Sequence, residues 1–203
     1  MNREIIITDL TRFNNPDLVC TAGVDRNSGE CIRPMPYLRR GWCREHDVRP
    51  GTILKGDFGP WTNRQGPHQE DFGHGRLKVV GTSSSSQFMD ALKQRLFDTV
   101  ESGFGASIAT GQKYIPFGQS GERSIITISA SPATLRIVTG SFDQGKIKLH
   151  FHDQSGRNYR YIAITDLGFH EYALEHHERN DLNSLNMFIS KQEEVLFRLW
   201  LNR

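Results

Sequence analysis

Residues 18–36 read LVCTAGVDRNSGECIRPMP, and residues 37–60 continue as YLRRGWCREHDVRPGTILKGDFGP. An apolar run that begins at Leu18 is followed by the turn formers DRNSG, and extended character resumes at Cys31. This order predicts a β-hairpin with a loop of a few residues, in which Gly29 adopts a positive φ.

The second strand of this hairpin is expected to end at Pro34 and Pro36, because proline has no N–H for a sheet ladder. A polar, arginine-rich segment follows, and the Pro50-Gly51 pair predicts a turn before a third strand, Thr52–Phe58. A tight hairpin, a basic aromatic loop and a return strand together predict part of a small β-barrel with a charged mouth.

Length and composition restrict the function classes. The chain has 203 residues, which suits one large or two small domains, and its net charge is only +2, so any nucleic-acid-binding surface must be local. Three cysteines without CxxC spacing predict free thiols in a reducing cytosol. No signal peptide is recognisable and no apolar run is long enough to span a bilayer. We therefore expect a cytoplasmic protein without membrane contact.

The rest of the chain alternates between short strands and turns. Apolar residues at helical spacing predict one helix, Gln87–Glu101, after a serine tract that can cap it. Residues 59–75 lack periodicity and are expected to form a loop. The further predicted strands are Glu4–Leu10, Arg76–Gly81, Ser124–Ala130, Ala133–Thr139, Lys146–His152 and Asn158–Thr165.

These elements predict a mainly β fold with a minor α component, built as two small OB-like β-barrels with one amphipathic helix between them. Residues 1–110 would form the first barrel and its helix, and residues 111–203 the second barrel. A split barrel or an SH3-like barrel would give a similar pattern. In the tail, Gly168–Arg179 suits a short helix. Glu194–Leu201 suits either a strand or a helix that is capped at Ser190.

Four stretches resemble the dual OB-containing domain family: VCTAGVD with CIRPMP, RPGTILKGDF, GPHQEDF and KIKLHFHDQSGRNYRYIAITDLG. The resemblance covers nearly the whole chain. It implies two OB-like barrels, a nucleic-acid-binding role often found in bacterial defence contexts, and no assigned catalytic residues. It also favours a strand at Glu194–Leu201. The sequence stops just after that strand, so we expect the second barrel to be incomplete at its C-terminal end.

The basic loop after the hairpin is the first candidate site. Residues 33–49 hold five arginines against two acidic residues, with aromatic side chains between them. Single-strand binders combine cations for phosphates with aromatic faces for bases, and OB barrels bind on the face of strands 2 and 3 and its loops. The alternative is a solvated loop with Trp42 packed in the core. The expected contacts are Arg33, Tyr37, Arg39, Arg40, Trp42 and Arg44.

A second candidate is the basic face of the predicted hairpin KIKLHFH–NYRYIAIT. Cations and histidines alternate with apolar residues in its first strand, and arginines and tyrosines occur in and before the second. The outer face of a barrel is normally polar, but here nearly all the charges have one sign. The expected nucleic-acid contacts are Lys146, Lys148, Arg157 and Arg160.

The loop HQEDFGH, His68–His74, is the third candidate. Imidazoles and carboxylates at this density suit Zn²⁺ or Mn²⁺, which would activate water against a phosphodiester. The segment lacks HExxH spacing, and the alternative is a structural loop in which Glu70 or Asp71 orients an arginine. The metal candidates are His68, Glu70, Asp71 and His74. We expect the His- and Glu-rich segment 170–178 to be a wet surface.

We expect a non-enzymatic module, without a cofactor, that binds single-stranded or structured DNA or RNA with low sequence specificity. One alternative is a metal-dependent nuclease that uses the His68–His74 loop. The other is a protein-interaction adaptor, with a partner protein in a larger assembly or as a homodimer. No P-loop, GxGxxG or GxSxG motif is present.

Overall fold

The structure, a computed structural model, describes residues 1–64, 66–109, 112, 115, 121–140 and 146–201. In the first half the elements are β1 (Asn2–Arg12), β2 (Leu18–Asp25), β3 (Cys31–Met35), β4 (Leu38–Arg39), α1 (Arg40–Glu45), β5 (Thr52–Pro60), β6 (Asp71–His74), β7 (Lys78–Thr82) and α2 (Ser85–Lys93). In the second half they are β8 (Leu96–Phe97), α3 (Val100–Phe104), β9 (Ile125–Ala130), a 3₁₀ turn (Pro132–Thr134), β10 (Arg136–Thr139), β11 (Ile147–His152), β12 (Asn158–Ala163), α4 (Leu167–Glu178), α5 (Leu182–Ser190) and β13 (Val195–Trp200).

Five strands of the first half close into a barrel. β1 pairs with β2, β2 with β3, β6 with β5, and β5 with β1, all antiparallel, whereas β3 and β6 are parallel. The mainly β fold and the OB-like barrel are thereby confirmed. Apolar side chains that are at most 1% exposed fill the interior: Ile5, Ile7, Val19, Ile32, Leu54 and Phe58.

The predicted hairpin forms as β2 and β3, with Gly29 at φ +70° in its turn. Pro34 does not end the second strand, because β3 exchanges partners at that point. Ile32 still pairs with β2, whereas Pro34 lies opposite Phe72 of β6. The predicted loop 59–75 therefore contains a strand, which its short length and distant partner concealed.

The single helix predicted at 87–101 is wrong. α2 ends at Lys93, β8 pairs in parallel with β9, and α3 then begins after the Thr99 cap. The apolar residues that suggested one helix in fact serve two cores, since Val100 packs in the second half. The serine tract does cap α2: Ser84 and Gln87 form a reciprocal capping box.

The second half consists of two three-stranded sheets around one core. β10, β11 and β12 form one sheet, and β8, β9 and β13 form the other. In the described part of the chain no ladder joins these sheets. The predicted helix near 168–179 and the strand near 194–201 are confirmed as α4 and β13, while α5 was not predicted. Fully buried residues of this core include Ile126, Ile128, Phe151 and Leu185.

The packing of residues before position 110 bears on the expected domain boundary. Phe97, Phe104 and Ile108 pack in the second core. We therefore propose a boundary near Gln94. All three cysteines are buried, and none of them is in a disulfide bond. Among the described residues, no helix has the length and apolar character needed to cross a membrane.

Candidate nucleic-acid interface

The outer face of β2 and β3, where OB barrels bind ligands, is covered by the second half of the chain. Ala22 and Cys31 cluster with Ile125 of β9, and the half-buried Trp200 of β13 packs against them. Every residue of β3 is buried. The expectation of an accessible binding face on these strands is therefore wrong.

Arg33 lies in β3, where the second half of the chain covers the first barrel, and not in the exposed loop that follows β3. Its side chain is only 2% exposed, and its Nε is 2.6 Å from Asp71 Oδ1. Its Nη2 is 2.8 Å from His68 Nδ1, and the guanidinium lies over the Trp200 ring. Burial opposes the charged form of Arg33, but Asp71 produces a net rise in its pKa. The prediction that Arg33 contacts phosphate is wrong, because its charge is neutralised inside the protein.

A second buried ion pair does connect the two halves, and sequence reasoning missed it. Arg198 Nε of β13 lies 2.8 Å from Asp9 Oδ2 of β1, although the N–H is not aligned for a hydrogen bond. Arg198 also donates to Thr127 Oγ1 and to Cys31 Sγ, and the Trp200 indole N–H donates to Asp9 Oδ1. The only sequence signal was an arginine within the apolar strand LFRLW.

The four metal candidates contact three separate parts of the chain and do not converge on one point. Glu70 accepts hydrogen bonds from the Ser124 and Ile125 N–H groups and from the Ser124 hydroxyl, which attaches the loop to β9. His68 and Asp71 contact Arg33, whereas His74 Nε2 lies 3.1 Å from the Pro36 carbonyl oxygen. No group of three or more potential ligands is found among the described residues. The structural interpretation, in which Asp71 orients an arginine, is confirmed.

A groove of about 660 Å³ lies on the first barrel between the segment 36–46 and the segment 74–79. Three exposed cations line it: Arg39 from β4, Arg76, and Lys78 from β7. None of its lining residues, all of them in the described part of the chain, is acidic. The other charged and aromatic groups of the lining are Tyr37, Trp42, His46 and His74.

Three of the rings in the groove already contact another ring. The rings of Trp42 and His46 lie 4.6 Å apart at 25°, and Trp42 also packs against the barrel core. Tyr37 contacts Phe13 at 4.6 Å between ring centroids. The sequence allowed Trp42 to be either exposed beside the arginines or packed in the core. Its side chain is half-buried, which lies between these two predictions. The imidazole of His46 is exposed.

The remaining predicted contacts lie outside the groove lining. Arg40 faces Glu171 at 3.5 Å and Arg44 is exposed on α1. In the second half, Arg157 donates to Glu101 and to the Ile108 carbonyl oxygen, and its contact with nucleic acid stays a prediction. Lys146 and Arg160 are exposed and Lys148 is half-buried. The expected wet surface at 170–178 is wrong for His170, which is 5% exposed.

Comparison with known proteins bears on the fold. A solved structure of a murine DNA-binding protein bound with double-stranded DNA is similar at 7% identity over 77% of this chain and 73% of that one. Its TM-score of 0.31 is too low to support an inference about function. A search of curated proteins finds no match. The family model of the dual OB-containing domain matches residues 4–194, so this chain belongs to that family.

Proposed function

We propose that the protein binds single-stranded or structured nucleic acid in the groove beside α1. The observation that carries this proposal is the convergence of Arg39, Arg76 and Lys78 with aromatic rings in a groove without acidic lining. Cations would contact phosphates, while His46 and Tyr37 would offer ring faces to bases. The usual OB ligand face on β2 and β3 is covered here, so the proposal rests on the groove and not on the fold.

A single strand suits the groove better than a duplex. Bases can stack on a ring only where they are unpaired and splayed out from the strand. Stacking accepts any base, so low sequence specificity is part of the proposal. The proposed ligand is either DNA or RNA. The proposed setting is bacterial defence, which the family resemblance implies.

Fluorescence anisotropy with a labelled single-stranded oligonucleotide tests the groove. Three phosphate contacts predict a slope of about −2 for log K against log salt concentration, since each contact on a single strand contributes about −0.7. Arg76→Ala and Lys78→Ala should each weaken binding and make the slope shallower by about 0.7. Arg26→Ala, which removes an exposed arginine outside the groove, is the matched control.

Two results would oppose the groove. One is the absence of binding at low salt, and the other is an equal slope for the Arg76 and Arg26 variants. The secondary contacts at Arg40, Arg44, Lys146, Lys148 and Arg160 stay predictions. They would be supported if alanine at any of these positions reduced the slope in the same titration.

A protein-interaction role is the second candidate, because α5 exposes two adjacent apolar side chains. Met187 is 58% exposed and Phe188 is 62% exposed. Contiguous exposed apolar surface often marks a protein contact. Sedimentation velocity over a concentration series should detect a dimer, and Phe188→Ser should shift it to monomer. A sedimentation coefficient that is independent of concentration and unchanged by the substitution argues against a homodimer through α5.

A further inference from the structure

A second cleft, of about 390 Å³, lies between the two halves and shares no lining residue with the basic groove. Its first wall comes from β1 and from Phe88 and Leu92 of α2. Its second wall comes from both sheets of the second half and from α4. The main apolar side chains of that wall are Ile137, Leu149, Ile162, Phe169, Phe197 and Leu199.

The size and lining of this cleft match those of small-molecule sites. Such sites usually enclose 300–1,000 Å³ and combine a mostly apolar surface with a few polar groups that orient the ligand. An apolar ligand in this space would bury the apolar side chains of both walls, which the hydrophobic effect favours.

The charges in the cleft are unevenly balanced. Asp9 has Arg198 beside it and accepts hydrogen bonds from Trp200 and Thr8. Asp166 caps α4, where its Oδ1 accepts the Phe169 N–H at 2.7 Å. Among the described residues no cation forms an ion pair with Asp166. One carboxylate in the cleft therefore lacks a counter-charge.

The surroundings of Asp166 favour an incoming cation. Burial raises the pKa of Asp166, and the nearby Asp9 carboxylate raises it further. Hydrogen bonds from the Phe169 and Gly168 N–H groups act in the opposite direction. A positive charge placed beside Asp166 would offset both the burial and the repulsion from Asp9. An anion would meet two carboxylates and one cation, Arg198, which is already paired with Asp9, and is therefore disfavoured.

We propose that the cleft binds a small organic cation, with an apolar body between the two walls and one ammonium or amidinium group paired with Asp166. The apolar body would contact Phe88 and Leu92 on one side and Leu149 and Phe197 on the other. Because the ligand touches both halves, its binding would also stabilise their docked arrangement.

Three naphthalene probes of the same shape test this site by isothermal titration calorimetry on the whole chain. The probes are 2-naphthylmethylamine, the neutral 2-naphthalenemethanol and the anionic 2-naphthoate. We expect the amine to bind at least tenfold more tightly than the alcohol, and the carboxylate to bind most weakly. Amine and alcohol of equal affinity would overturn the proposal, even without any variant.

Two substitutions locate the probe in the cleft. Asp166→Asn should reduce the affinity of the amine to that of the alcohol, because asparagine still caps a helix but carries no charge. Asp98→Asn, at an exposed position outside the cleft, is the matched control and should change nothing. Leu149→Trp should block all three probes by filling the space. An amine affinity unchanged in Asp166→Asn would refute the assignment of this carboxylate.

Discussion

The Arg33–Asp71 ion pair links β3 to β6 within the first barrel, beneath the Trp200 ring of the second half, and it offers a direct test of what this buried charge contributes to stability. Asp71→Asn preserves the shape of the side chain and its acceptor oxygen, but it leaves the Arg33 charge without a counter-ion. Both side chains are nearly inaccessible, at 2% and 0% exposure. The guanidinium therefore cannot recover its hydration without disrupting the packing of Trp200 and His68 around it.

The expected loss is large. Removing one partner of a buried ion pair costs about 3–5 kcal/mol. The retained amide oxygen places this variant near the lower limit, at about 3 kcal/mol. For a chain of this length, each kcal/mol corresponds to about 2–4 °C. We therefore expect the melting temperature to fall by about 6–12 °C, measured by far-UV circular dichroism and supported by urea denaturation.

The same chemical change at an exposed pair is the control. Asp47 lies 3.4 Å from Arg49, and both side chains are more than 60% exposed. Asp47→Asn should cost less than about 1 kcal/mol, and asparagine tolerates the positive φ of this residue. The double variant Arg33→Met/Asp71→Leu should be more stable than Asp71→Asn, because no unpaired charge remains. Equal losses in Asp71→Asn and Asp47→Asn would refute the reasoning.

Three further variants test individual features by denaturation. Burial is the main cause that lowers the pKa of His170 in the folded protein, and the charge of Arg12 adds to it. In the unfolded chain this histidine has its ordinary pKa of about 6.5, so it takes up a proton at a higher pH than it does in the folded protein. The free energy of unfolding should decline from pH 7 to 5, and less steeply in His170→Gln. Ser84→Ala removes the capping box of α2 and should cost about 1 kcal/mol, whereas an unchanged midpoint would contradict the cap. Gly23→Ala places a Cβ 2.7 Å from the Ile6 carbonyl oxygen and should lower the free energy of unfolding by about 1–3 kcal/mol. An unchanged free energy of unfolding would mean that β1 and β2 can move apart to accept the methyl group.

Local patterns predicted the hairpin, because its turn formers and alternating apolar residues are contiguous in the chain. Gly29 takes the expected positive φ. Local patterns could not predict that the segment 87–101 is divided among α2, β8 and α3. Leu96 and Phe97 leave the helical path in order to pair with β9, some thirty residues downstream. Helical periodicity cannot reveal that two segments face different cores.

Only part of the candidate site could be predicted, because a local pattern shows only residues that are close together in the sequence. Tyr37, Arg39 and Trp42 are close in sequence and do line the groove. Arg76 and Lys78 join them only because β5 pairs with β7, which a linear pattern of charges does not show. Arg33 was misassigned because its counter-ion, Asp71, lies 38 residues away.

The covered face of β2 and β3 changes what the tandem arrangement means. A fragment that ended near Lys93 would leave the Asp9 carboxylate without Arg198 and the Arg33 guanidinium without the Trp200 ring. Both charged groups would then lack the protein contacts that surround them in the whole chain, and the apolar surface around them would be exposed to water. The C-terminal strand therefore covers charged and aromatic groups of the first barrel, and we expect the first barrel to be less stable as a separate fragment than within the whole chain.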